Sequence, residues 1–379
     1  MRICLVYDCL FPYTIGGAER WYRNLAERLT EDGHEVTYLT LRQWPRGASP
    51  EVSGVEVKAV GPRMGLYTAG GRRRIGPPLM FGAGVLWHLL RAGRTYDAVH
   101  TGAFPYFSVL AAATARFAHG FRLVVDWHEV WSREYWREYL GAAGAAGWWV
   151  QALSARVEQR AFCFSRLHAR RLIQIGAGAQ PTVLEGEYAG PLERPAAEAA
   201  EPVAVFAGRH IREKRVPALV SAIRLARERL PELRCEIYGD GPERAEVGRR
   251  IAESNLEEAV TVRGFVPAEE VQRVLRRALC MVLPSRREGH GLIVVEAAAA
   301  GTPSVVVHGP DNAATELVSE DFNGVVAPSA SAEDLAAAIL RVHQGGPELR
   351  ARTADWFERN ASRLSMSSSL ERVLATYAD

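Results

Sequence analysis

Ser285–Gly301, SRREGHGLIVVEAAAAG, is the stretch from which the fold is read. An apolar β-type run, Cys280–Leu283, leads into it. Gly289 and Gly291 break the chain into a loop, and the apolar, alanine-rich run that follows predicts a helix from about Leu292. Glu288 and Glu296 are eight residues apart, which puts Glu288 in the loop at the helix mouth and Glu296 about one turn inside. The glycines let backbone approach a ligand closely, and the first helical N–H groups have no intrahelical partner. With roughly half a positive charge of helix dipole, those donors form an anion site. Carboxylates at its edge and below it suit the hydroxyls of a sugar and of a ribose.

Outward from this stretch the same strand–turn–helix pattern repeats. Towards the N-terminus, Ile3–Tyr7, Val36–Leu39, Val55–Val60, Ala98–His100 and Leu123–Val125 read as short buried strands. Helical stretches such as Ala18–Leu29 lie between them, and Ser132–Cys163, rich in Ala, Arg and Trp, reads as one or two helices. Gly190–Pro202 has the Pro/Ala/Glu character of a linker. The pattern then restarts with Val203–Ala207, Cys235–Tyr238, Val260–Arg263, Cys280–Leu283, Ser304–Val307 and Gly324–Val326. Helices are expected over Pro217–Leu230, Ala268–Arg277, Ala332–His343, Glu348–Asn360 and Ser368–Tyr377. The fold class is α/β: two doubly wound, Rossmann-like domains facing a cleft, one over 1–190 and one over 200–362.

Composition narrows the function. The 379 residues carry 46 basic and 44 acidic side chains, a net charge of +2 that gives no case for nucleic acid. The five cysteines show no CxxC pair and mostly sit in apolar runs, which argues for a reducing compartment and against disulfides or zinc. MRICLVYDCLF is a strand rather than a leader, and no uninterrupted apolar run is long enough to span a bilayer. A cytoplasmic location is expected. Lysine occurs only at Lys58 and Lys214; the other 44 basic residues are arginine, so a lysine here is informative.

Further motifs fall at strand-to-helix turns. Ile15–Gly16–Gly17–Ala18–Glu19–Arg20 can bring amides to a phosphate or a substrate hydroxyl, or can be a plain helix entry. In LVVDWHEVW, His128 and Glu129 follow a strand; His128 reads as a ligand to a sugar hydroxyl, a base, or a structural histidine. Asp126 reads as structural, and His100 as a weaker candidate of the same kind. VAVFAGRHIREKR sets Arg209 and Lys214 at the end of a strand, where two cations can clamp a diphosphate leaving group. Ile237–Pro242 reads as a structural turn, and Gly264–Phe265–Val266 as backbone near a base edge. Arg72–Arg74 with Ile75–Leu90, and Trp148–Trp149, read as solvated arginines and a core aromatic pair rather than a helix resting on lipid. GxGxxG, Asp-x-Asp and HExxH are all absent.

Taken together these residues resemble the family-4 retaining glycosyltransferases of the GT-B fold, most closely from Gly208 to Pro328. There GR…K, YGDGP, GFV, E-x7-E, AGTPSVV and NGVV occur in the family's order. The resemblance implies a nucleotide-sugar donor, taken to be a uridine diphosphate sugar, held mainly by the second domain and used without metal or other cofactor. It implies diphosphate contacts from Arg209 and Lys214, with Gly208 beside them. Glu288 would meet the sugar hydroxyls, amides of Gly289, His290, Gly291, Leu292 and Ile293 the sugar and phosphate oxygens, and Glu296 the ribose. Val266 would lie near the base, Gly16 and Gly17 would face the reacting centre, and His128 would touch the transferred sugar. The last helix, about 363–379, would return to the first domain. Departures from the family pattern are His290 in place of an aromatic residue, Glu129 for aspartate, Leu184–Glu185–Gly186 for Pro-Asn-Gly, and Arg215 for glycine.

The expected reaction moves a glycosyl group to an acceptor hydroxyl with retention of configuration. A lipid-linked sugar, a polysaccharide end, a small metabolite and an aglycone all remain open as acceptors, with peripheral contact at the inner membrane surface a further option. The alternatives are a GT-B epimerase acting on a nucleotide sugar, a sugar phosphorylase, and a non-catalytic nucleotide-sugar-binding subunit.

Overall fold

The computed structural model describes the chain except Ile15, Arg46, 69–72, 196–198 and Asp379, together with the side chain of Ala378. Ile15 of the first turn motif and Arg72 of the arginine run therefore lie outside the described residues. The chain divides into two units, one of Met1–Thr68, Arg72–Glu185 and Ser369–Asp379, the other of Gly186–Ser368.

The first unit contains β1 (Arg2–Val6), α1 (Gly17–Glu31), β2 (Glu35–Leu41), β3 (Val55–Gly61), α2 (Gly76–Ala92), β4 (Ala98–Gly102) and α3 (Phe107–His119). It continues with β5 (Arg122–Trp127), α4 (Arg133–Leu140), α5 (Gly144–Arg156), β6 (Arg160–Cys163), α6 (Arg166–Gln174) and β7 (Thr182–Val183). Its strands pair in the order β3-β2-β1-β4-β5-β6-β7, every described pairing parallel. Strands such as Ile3–Val6 are wholly buried because helices cover both faces of a parallel sheet. On one face Cys4, Val6, Leu39, Val99, Leu123 and Val125 pack with Phe81, Val85 and Leu89 of α2, Val109 of α3 and Ala155 of α5.

The second unit begins with β8 (Val203–Ala207), α7 (Val216–Ala226), β9 (Arg234–Tyr238), α8 (Arg244–Glu253), β10 (Val260–Gly264), α9 (Ala268–Arg277) and β11 (Cys280–Leu283). Next come β12 (Arg287–Glu288), α10 (Leu292–Ala299), β13 (Ser304–Val307), β14 (Asp311–Asn312), β15 (Gly324–Ala327), α11 (Ala332–Leu364) and α12 (Met366–Ala378). The order β10-β9-β8-β11-β13-β15 repeats that of the first six strands of the other sheet, again all parallel. α11 is broken at Gly346 (φ 49°), followed by Pro347, so it is two helices, as the Gly-Gly-Pro interruption predicts. From Ser369 on, α12 belongs to the first unit, where Tyr377 Oη is 2.5 Å from His100 Nδ1.

In each sheet the strand order reverses beside the first strand, between β1 and β4 and between β8 and β11. Open parallel sheets bind ligands beyond the carboxyl ends of the strands at that reversal. The loops after β8 and β11, which carry Arg209, Lys214 and Glu288, are the two neighbours there.

Three expectations need correction, the first being that Trp148–Trp149 is a core pair, since Trp149 is 61% exposed. Ser132–Cys163 is not helical to its end: α5 stops at Arg156, and Arg160–Cys163 is β6, paired to β5. The run of four is too short to register against the helix-forming residues before it. Arg73 is not a solvated arginine, since its guanidinium pairs with the fully buried carboxylate of Asp8.

Candidate functional site

In the second unit, β8 runs out at Ala207, and a turn through Gly208–Arg209–His210 leads to a short 3-10 turn, Arg212–Lys214. This turn is locked to the one after β9. Gly208 N–H donates to Tyr238 O at 3.0 Å, His210 N–H to Asp240 O at 2.9 Å, and Glu243 N–H to His210 O at 2.9 Å. Gly239 (φ +110°) is obligatory there, because a Cβ would lie 1.9 Å from Gly208 O. Ile237–Pro242 is thus a structural buttress for the Arg209 turn. Arg209 is exposed, and no ion pair to its side chain is found among the described residues.

Across the reversal, β11 ends at Leu283 and the 285–291 loop begins. Arg286 N–H donates to Glu213 O at 2.8 Å, tying this loop to the 3-10 turn. Glu288 lies on β12, paired in parallel with β14 at Asn312. The buried Asn312 amide donates to Val307 O at 2.7 Å and Ser285 O at 3.2 Å, and its Oδ1 accepts from Ala314 N–H at 3.1 Å. That bracket delivers the Glu288 carboxylate to Lys214, with Oε1 2.5 Å from Nζ, in a partly buried ion pair. Lys214 and Glu288 are 74 residues apart in the chain.

Gly291 caps α10 at φ +100°, and a Cβ on it would stand 2.6 Å from Ala314 Cβ. The start of α10 is therefore pressed against the Ala313–Leu317 turn, with Leu292 and Ile293 partly buried in its first turn. Gly289 is partly buried and His290 is buried. Glu296 sits on α10 partly buried and helps, after burial, to raise the Tyr188 phenol to about 12. Val266 follows β10 partly buried, beside Phe265, which is 63% exposed. Among the described residues no three His, Cys, Asp or Glu side chains gather as metal ligands would. The five cysteines are free buried thiols.

Sequence reading missed three contributors on these loops. Asn312 supports the Glu288 strand, and nothing in HGPDNAATE announces it. His210 and Ser285 are fully buried, and neither ring nitrogen of the first nor the hydroxyl of the second has a hydrogen-bond partner among the described residues. For these two a polar residue next to a strand end was the available signal.

In the first unit, His128 follows β5 with its ring stacked on Phe164 at 4.2 Å and edge-on to Tyr22 at 6.2 Å. Burial lowers its pKa to about 4, against the pull of Asp126, so the ring is neutral near pH 7. Its Nε2 is buried without a hydrogen-bond partner among the described residues. Asp126 accepts from Trp21 Nε1 at 2.8 Å and lies 2.9 Å from His100 Nε2. Burial alone would raise its carboxyl, but His100, His128 and the Trp21 hydrogen bond together outweigh it and the net shift is downward. Asp126 and His100, both fully buried, join α1, the sheet and Tyr377, which is a structural role. Glu129 Oε2 accepts from Trp131 Nε1 at 2.7 Å, and Trp131 is held through its backbone by Gln151. Gly16 is extended (φ −172°), and a Cβ on it would lie 2.3 Å from Glu19 Oε2. The Glu19 carboxylate thus lies over the entry of α1, where the glycine pair had suggested a phosphate. Gly17 has open space around it.

Two family models match the chain: "Glycosyltransferase Family 4" over residues 15–186 and "Glycosyl transferases group 1" over residues 193–356. Among curated proteins, alpha-D-kanosaminyltransferase of Streptomyces kanamyceticus is 28% identical over 179 residues, 47% of this chain and 46% of that one. The amylovoran biosynthesis glycosyltransferase AmsK of Erwinia amylovora is 28% identical over 187 residues, 46% of each. The matched stretch thus spans about half the length of these relatives. Among solved structures, sucrose-phosphate synthase from Thermosynechococcus elongatus superposes with a TM-score of 0.78 at 20% identity, over 100% of this chain and 98% of that one. Anabaena HepE in complex with UDP-glucose gives 0.75 at 18% identity, over 100% and 99%.

Proposed function

We propose that this chain, which belongs to the family-4 glycosyltransferases of the GT-B fold, transfers a glycosyl group from a nucleoside-diphosphate sugar to an acceptor hydroxyl. The observation that carries the reading is the Lys214–Glu288 pair. It sets an ammonium and a carboxylate side by side at the strand-order reversal of the second unit, next to the start of α10. The solved HepE complexes contain UDP, UDP with glucose, and UDP-glucose, which supports a uridine diphosphate sugar as the donor here.

The chemistry that this site must manage is charge. As the glycosidic bond breaks, the departing diphosphate gains negative charge. Lys214 and the exposed Arg209 supply positive charge for it, and the first amides of α10 supply donors. This donor set accounts for leaving-group stabilisation without a metal, and metal independence is part of the proposal. Glu288 exchanges its bond to Lys214 for the donor's sugar hydroxyls, and Glu296 takes the ribose. The acceptor proton leaves with the phosphate oxygen, configuration is retained, and the neutral His128 touches the transferred sugar rather than acting as base.

The test is release of UDP from a panel of UDP-sugars by the purified chain in the presence of a chelator, with products analysed with and without acceptor. Turnover of one donor, faster with acceptor, is expected. Isomerised donor, or phosphate-dependent formation of a sugar phosphate, would replace transfer by epimerase or phosphorylase chemistry. Binding with no turnover of any donor would leave a nucleotide-sugar-binding subunit.

A further inference from the structure

The outer face of α2 is apolar. Its exposed positions, Leu79, Met80, Ala83, Trp87 and Leu90, recur at three- and four-residue spacing along one side of the helix. Trp87 is 63% exposed, Leu79 49%, Leu90 48% and Met80 46%. The opposite side, Phe81, Val85 and Leu89, is already committed to the sheet. A helix buried on one side normally turns polar residues to water. α3, packed beside α2, adds Phe117, the most exposed large apolar residue described, at 93%. The C-terminal ends of the two helices abut, since His119 Nε2 lies 3.2 Å from Leu90 O.

Charge around this face is one-sided. From Ala59 to His119 the sequence holds seven arginines and one acidic residue, Asp97, while the whole chain is nearly balanced. Asp97 accepts from the Arg2 amide at 2.7 Å. Arg116 is paired with Glu158 and Arg73 with Asp8. Arg74 before α2, and Arg91 and Arg94 at its end, are exposed, and Arg91 lies over the Trp87 ring at 3.0 Å. Basic residues thus flank the apolar stripe at both ends.

We infer that α2 and the end of α3 form a docking surface for an anionic lipid bilayer, lying in the headgroup region with Leu79, Met80, Trp87, Leu90 and Phe117 inserted and Arg74, Arg91 and Arg94 on lipid phosphates. The apolar side chains account for insertion and the arginines for preference among headgroups. A second copy of the chain fits poorly, because a two-fold interface along α2 sets basic ends against basic ends in either direction.

Flotation of the full chain with phosphatidylglycerol–phosphatidylcholine vesicles, against phosphatidylcholine alone, tests it. Binding only to the mixed vesicles, weakening as salt rises, is expected. Trp87→Ser with Leu90→Ser is expected to lower partitioning at least tenfold. Arg91→Glu with Arg94→Glu is expected to lower it by roughly fivefold for each arginine lost, with melting curves like wild type. Absence of binding to either vesicle would overturn the inference. So would a concentration-dependent dimer, in sedimentation without lipid, that Trp87→Ser dissolves.

Discussion

Lys214 Nζ and Glu288 Oε1 are 2.5 Å apart, although 74 residues of chain separate them. Each is therefore the other's counter-ion before any ligand arrives, and a donor must divide them: diphosphate to the ammonium, sugar hydroxyls to the carboxylate. Glu288→Gln separates the two roles. Affinity for UDP alone, by calorimetric titration, should hold or rise because Lys214 is released. Turnover of the UDP-sugar should fall about 10- to 100-fold, the worth of a hydrogen bond to a charged group. Unchanged turnover, or weaker UDP binding, would contradict this division.

Gly291 is held by conformation and by space at once. At φ +100°, with Ala314 Cβ 2.6 Å from where its own Cβ would lie, Gly291→Ala should cost about 2 kcal/mol or more in urea unfolding. Adding Ala314→Gly should recover the steric part and leave the backbone part. A variant with the wild-type midpoint would show that the α10 entry is looser than described.

Arg73 is the only partner described for the fully buried Asp8 carboxylate. Arg73→Ala strands that charge and should cost about 3–5 kcal/mol, whereas Asp8→Leu with Arg73→Met should cost far less. The denaturation midpoints of the single and double variants decide it. Equal losses would mean that the pair's charge is not what matters.

His128 should make the first unit acid-sensitive. Its folded pKa of about 4 lies below the ordinary 6.5, so as pH falls the unfolded chain takes up the proton first. The histidine's contribution is whole above about pH 6.5, erodes between 6.5 and 4, and amounts to roughly 3 kcal/mol. His128→Phe should flatten that stretch of the stability–pH curve. Parallel curves for wild type and variant would place the acid sensitivity elsewhere.

The strands were legible where short apolar runs such as VAVFA, CMVL and SVVV lead into glycine-containing turns, the pattern of a strand buried on both faces. The broken C-terminal helix was legible from Gly345–Gly346–Pro347. β12 and β14 were not, since a two-residue pairing set by Asn312 leaves no periodic trace. Nor was Arg73, because a triplet of arginines looks solvated until the fold supplies Asp8. Spacing placed Arg209, Lys214, Glu288 and Gly291 at strand ends. That the loops after β8 and β11 adjoin depends on strand order, which local sequence does not encode.

The account rests on positive charge in the second unit gripping a diphosphate. Titration of wild type, Lys214→Ala and Arg209→Ala with UDP, paired with turnover of the preferred UDP-sugar, tests this most directly. Both variants should melt as folded proteins, bind UDP more weakly, and lose on the order of 10²–10³ in turnover, roughly 3–4 kcal/mol. Wild-type affinity and turnover in either variant would contradict the account.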